Sequence, residues 1–108
     1  MPTEFESIIQ DIRAGAKQDY VGLWELCIKV RSRLHPEGSV ALKDLVLAIV
    51  RRLLDGGLQA VELTPSGSGC TPWAIQDPAY VIDRIASEWD TLGHEPSVND
   101  IVWFNDPG

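Results

Sequence analysis

The side chains able to do chemistry are few, and their spacing does not bring them together. His35 and His94 are the two histidines, and neither sits in an H-x-x-x-H or C-x-x-C arrangement that would converge ligands on a metal. Cys27 and Cys70 form neither a ligand motif nor a spaced disulfide framework, so free thiols are expected, with Cys27 a small buried hydrophobe. Gly67-Ser68-Gly69 lacks the G-x-S-x-G spacing of a nucleophile elbow, and no lysine follows these glycines as a phosphate loop requires. Glu88 and Asp90 are two apart, so on a helix they do not face each other as an acid and base pair. These residues predict no metal, no cofactor and no catalysis.

Charge is the stronger signal. The 108 residues carry a formal net charge of −7, unevenly spread. Residues 1–52 hold seven acids against eight bases, whereas residues 53–108 hold nine acids and the single base Arg84. Asp83, Ser87 and Asp90 fall on one outer helical face, with Glu95 and Asp100 following, and no cation close in sequence neutralises these acids. Such a surface repels itself and attracts a cationic partner; an acidic face that only confers solubility is the competing reading. Asp83, Asp90, Glu95 and Asp100 are therefore the candidate partner-binding residues. Trp73, following Pro72 beside a flexible loop, is a candidate aromatic anchor, although packing over a sheet is its leading role.

The elements that must position these groups follow from periodicity. Thr3 and Glu6 form a capping box for a helix starting near Glu4, with Phe5, Ile8, Ile9 and Ile12 on its apolar face and Gly15 as its stop. Asp19 is the cap expected for a second helix over 20–34, ended by His35-Pro36-Glu37-Gly38. Ser39 would cap a third over 40–55, apolar around almost its whole circumference and hence central, with Gly56 and Gly57 as its left-handed end. From Leu58 the period changes to two, predicting a strand that turns through 64–69 and returns over 70–75. Asp77-Pro78 starts a fourth helix that ends near Leu92, and Ile101-Val102-Trp103-Phe104 predicts a last strand. The expectation is a single α+β domain spanning 1–108: four helices and a small antiparallel sheet of two or three strands, with winged-helix-like order in the middle.

Apolar runs stay well below the ~18 residues of a membrane span, and acids stand where a signal peptide would be basic, so a soluble, cytoplasmic protein is expected. The order of three helices and a hairpin also suits a winged-helix DNA-binding or regulatory protein, for which Lys29, Arg31, Arg33, Arg51 and Arg52 would be the contact set. Against it stand an apolar third helix and a net charge that repels phosphates.

Asp19-Tyr20, Leu23-Trp24-Glu25, Leu53-Leu54-Asp55-x-Gly57-Leu58, Pro72-Trp73, Ile82-x-Arg84-Ile85-x-x-Glu88-Trp89-x-x-Leu92-Gly93-x-x-Pro96 and Asp100-Ile101-x-Trp103-Phe104 together resemble a family of small, largely uncharacterised bacterial proteins. The resemblance spans about residues 19–104 and contains no catalytic signature. Size, acidity and sparse chemistry are also similar to the immunity proteins of contact-dependent growth inhibition systems. That similarity implies a non-enzymatic antitoxin-type inhibitor that neutralises a basic toxin domain, such as a nuclease; it transfers no binding residue.

Overall fold

The computed structural model describes residues 3–64, 69–97 and 100–107; the predicted turn at 65–68 lies outside them. Four helices and a four-stranded antiparallel sheet run in the order α1 (Glu4–Gln18), β1 (Val21–Gly22), α2 (Leu23–Leu34), α3 (Ser39–Asp55), β2 (Gln59–Leu63), β3 (Cys70–Pro72), α4 (Pro78–Leu92) and β4 (Trp103–Asn105). The class is α+β as expected, but the sheet has four strands rather than two or three. Its order is β1-β4-β2-β3, so the C-terminal strand lies between β1 and the β2–β3 hairpin. β1 escapes a periodicity reading because two residues show no period, and its pairings Val21↔Phe104 and Gly22↔Trp103 come from the far end of the chain.

Helix ends depart from expectation where tertiary partners compete. Thr3 Oγ1 accepts the Glu6 N–H at 3.1 Å, but the Glu6 carboxylate takes the Arg52 guanidinium through two bonds of 2.7 and 3.0 Å. α1 runs through Gly15 to Gln18, which buries Ala16. Asp19 accepts the N–H of Tyr20 rather than capping a helix, and α2 starts three residues later, where Glu25 accepts the Gly22 N–H at 2.8 Å. At the other end of α2, His35 takes a left-handed conformation (φ 51°) that suits glycine better. Gly38, not Ser39, precedes α3, and of the two glycines after it only Gly57 has positive φ. Gly56 instead lies against Arg13, whose guanidinium donates to the Gly56 carbonyl at 3.3 Å.

The expected stripes form the core. Ile8 and Ile12 of α1, Leu26 and Val30 of α2, Val81 and Ile85 of α4, and Phe104 of β4 are buried about α3, which supplies Leu42, Val46, Ile49, Val50 and Leu53. α3 packs on all three other helices, which is the central place its composition predicts. α4 follows its sequence reading closely: Asp77 accepts the Tyr80 N–H, Pro78 opens the helix and Gly93 (φ 76°) ends it. The last strand begins two residues later than expected, because Ile101 turns the chain with positive φ and the Val102 carbonyl accepts the Leu23 N–H. On β2, Val61 is buried as well as Ala60, since Val61 lies between Trp103 of β4 and Pro72 of β3.

Gly22 is the tightest joint. A Cβ there would stand 2.6 Å from Trp24 Cδ1 and Nε1 and 3.2 Å from Trp103 Cζ3, so the two indoles would have to move. Gly22→Ala is expected to destabilise the protein by about 1–3 kcal/mol through overpacking, read as a lowered urea midpoint with an unchanged slope. A midpoint equal to the parent's would show that the indoles part without cost.

Candidate functional site

Packing α3 beside α4, with the end of α2 alongside, leaves a groove of about 630 Å3. Leu42, Leu47, Ala86 and Trp89 give it an apolar lining. Val40, on the first turn of α3, lines it too and is 74% exposed. Val40, Lys43, Asp44 and Leu47 share one face of α3 at i, i+3, i+4 and i+7, while Ala86, Trp89 and Asp90 of α4 and its cap residue Gly93 repeat that spacing. Arg31 from α2, and His94 and Glu95 from the segment after α4, complete the mouth.

Two of the five predicted partner-binding residues, Asp90 and Glu95, meet in this groove. No cation stands near them in sequence, and the fold brings distant ones to both. Lys43 Nζ reaches Asp90 Oδ1 at 2.5 Å, and Arg31 pairs with Glu95. The partners are 47 and 64 residues away in sequence, so no local spacing could signal them. The pairs differ in shape. The Lys43 side chain is 21% exposed and that of Asp90 74%, leaving the Asp90 carboxylate open to solvent. Exposed pairs of this kind contribute only a few tenths of a kcal/mol, so they orient side chains more than they stabilise the fold.

The other three lie elsewhere. Asp83 is exposed on α4, one turn before Ala86, and no ion pair holds it among the described residues. Asp100 organises a turn: its carboxylate accepts both the Ser97 N–H at 2.8 Å and the Ser97 hydroxyl at 2.9 Å. Trp73 is 5% exposed within the core cluster, so the candidate anchor is not presented to a partner. Its ring is covered by the Arg84 guanidinium, 3.7 Å from the ring centroid. Arg84 also bonds Glu88 at 2.7 Å and approaches Glu62 at 3.5 Å. The i, i+4 spacing reveals the Glu88 pair; the indole and Glu62 come from the hairpin and leave no trace in the sequence.

The DNA-contact set is likewise committed. Arg31 binds Glu95, Arg33 binds Glu4 and Asp11, Arg51 binds Asp55 and Arg52 binds Glu6, so four of its five cations already meet carboxylates. α3, which would have to enter a groove of DNA, spends its apolar face on the core. No group of three or more His, Cys, Asp or Glu able to hold a metal occurs among the described residues, and none of their helices is long and apolar enough to cross a membrane. Comparison of the chain with protein-family models, with curated proteins and with solved structures gives no match.

Two titrations follow from the geometry. The Ser97 N–H, then its hydroxyl, hold the Asp100 carboxyl below its ordinary value of 3.8, against a smaller opposing effect of burial. A depressed carboxyl stabilises the fold above its unfolded value, and this contribution is lost as pH falls through the folded value. Asp100→Asn should therefore flatten the fall in melting temperature below about pH 4, and NMR titration should place Asp100 below 3.8; equal acid slopes in the two proteins would contradict the turn.

Burial, followed by the Glu95 charge, pushes the Cys27 thiol up to about 12. The thiolate is the reactive form, so native protein should show one thiol accessible to Ellman's reagent, the half-exposed Cys70, with Cys27 reacting on denaturation. Two fast native thiols would contradict the burial of Cys27.

Proposed function

We propose that the protein is a non-enzymatic inhibitor of the immunity type, which neutralises a basic toxin domain by covering it with the α3–α4 side of the molecule. The observation that carries this reading is the groove: an apolar lining bordered by Asp44 and Asp90, with Val40 exposed at its wall and Asp83 outside the lining, one turn before Ala86 on α4. Asp44 and Asp83 have no ion-pair partner among the described residues, and the Asp90 carboxylate faces solvent despite Lys43. Carboxylates held near one another repel, and an arriving cation relieves that repulsion while the summed field speeds its capture. Glu95, closed off by Arg31, and Asp100, committed to its turn, contribute to the field rather than to direct pairing.

Non-enzymatic action is supported by the arrangement of the groove's ionisable groups. Arg31 and Lys43 are each occupied by a carboxylate in an ion pair. A nuclease suits the toxin role because its own substrate is a polyanion, whose charge the acidic rim imitates.

The test is to read the neighbouring reading frame and, where it encodes a basic toxin domain, to coexpress the two; a metabolic operon there would count against the proposal. Growth should be protected, and the pair should associate at a rate that falls with salt. Asp44→Asn combined with Asp83→Asn should slow association by about tenfold at low ionic strength with little change in melting temperature. Unprotected growth, or an association rate indifferent to both substitutions, would overturn the proposal.

A further inference from the structure

We infer that the occupant of the groove is an amphipathic helix of the partner, its apolar stripe seated on Val40, Leu47 and Trp89 and its lysines or arginines facing Asp44, Asp83 and Asp90. The inference rests on the reading that the partner is basic, and adds which element of it binds and where.

Shape comes first. At about 630 Å3 the groove falls within the roughly 300–1,000 Å3 typical of concave sites that enclose a ligand. Its walls come from two helices that each present residues at i, i+3, i+4 and i+7, so it is lined by two rows of side chains. A third helix laid along such a trough meets ridges and grooves of its own spacing. A singly exposed valine is ordinary. Val40 gains meaning because it shares its face of α3 with Leu47 and lines the same groove as Trp89.

Charge selects the occupant. The groove's two cations are already matched by Asp90 and Glu95, so the carboxylates left to be satisfied are Asp44 at the groove and Asp83 beside it. Asp90 can accept a second cation, since a carboxylate offers about four lone-pair sites and Lys43 occupies one oxygen. A second copy of this chain would bring another net charge of −7 against the same acids, and an anionic membrane surface would be repelled in the same way.

The test uses labelled helical peptides of about 18 residues. One carries leucine at i, i+3, i+4 and i+7 with lysine elsewhere; a second replaces the leucines by serine, and a third replaces the lysines by glutamate. The leucine–lysine peptide should bind by fluorescence anisotropy and shift the amide resonances of Val40, Leu47 and Asp90, while the other two bind at least about tenfold more weakly. Val40→Asp, at an exposed position that leaves the core intact, should weaken binding by about tenfold as well. Equal binding of the serine peptide, or an affinity unchanged by Val40→Asp, would overturn the helix-in-groove inference and leave the basic-partner reading standing. Binding of no lysine peptide at low salt, together with failure to bind the basic toxin domain, would overturn both. Sedimentation showing a dimer abolished by Val40→Asp would assign the groove to a second copy instead.

Discussion

Burial of α3 is the constraint on which the other elements depend. Leu42, Val46, Ile49, Val50, Leu53 and Leu54 leave water together, and one neighbouring helix cannot cover so wide an apolar surface. α1, α2 and α4 therefore close around it, and their docking decides which polar side chains meet at the surface. Val40, Lys43, Asp44 and Leu47, which are not fully buried, line the groove together with the buried Leu42. The candidate site thus follows from that packing: it lies where α3 and α4 meet, with Arg31 of α2 alongside.

The same packing redistributes charge. Seen linearly, the chain is nearly neutral over its first half and strongly acidic over its second. Folding folds the two halves together, and Lys43 and Arg31 from the first neutralise Asp90 and Glu95 from the second. Arg33 and Arg52 tie α1 to α2 and α3 through Glu4, Asp11 and Glu6. The cations that would suit phosphates are largely absorbed in this way, and the excess negative charge is confined to fewer carboxylates than a linear count indicates. Because each pair is exposed and individually weak, a charged partner can compete with it at small cost.

Aromatic side chains show the limit of local reasoning most clearly. Trp89 and Trp103 fall on apolar patterns; Trp89 is buried as its pattern implies, whereas Trp103 is only half-buried on β4. Trp73 follows Pro72, three residues after Cys70 and the glycine-rich stretch, where an exposed anchor competes with packing over a sheet as a reading; in the fold it is buried, with Arg84 over its ring. Its neighbour Gln76 explains part of this, since its amide bonds the Ala60 N–H and carbonyl and the Trp73 carbonyl, fastening the chain after β3 onto β2. Nothing in the residue types around Trp73 encodes that strap.

Within helices, contacts repeat every three or four residues, so Ile8 and Ile12, Val81 and Ile85, and the Asp77-Pro78 start could be placed from the sequence by itself, as could the α+β class and the overall surplus of acid. The Arg84–Glu88 pair belongs with them because both residues lie on one helix face. The four-stranded sheet, the capping of α2 by Glu25, the burial of Trp73 and the pairing of Asp90 and Glu95 belong to the tertiary structure. Each depends on residues brought from afar, and separation along the chain carries no record of which side chains will adjoin once α3 has been enclosed. A period is a property of one element, whereas a groove exists only between several.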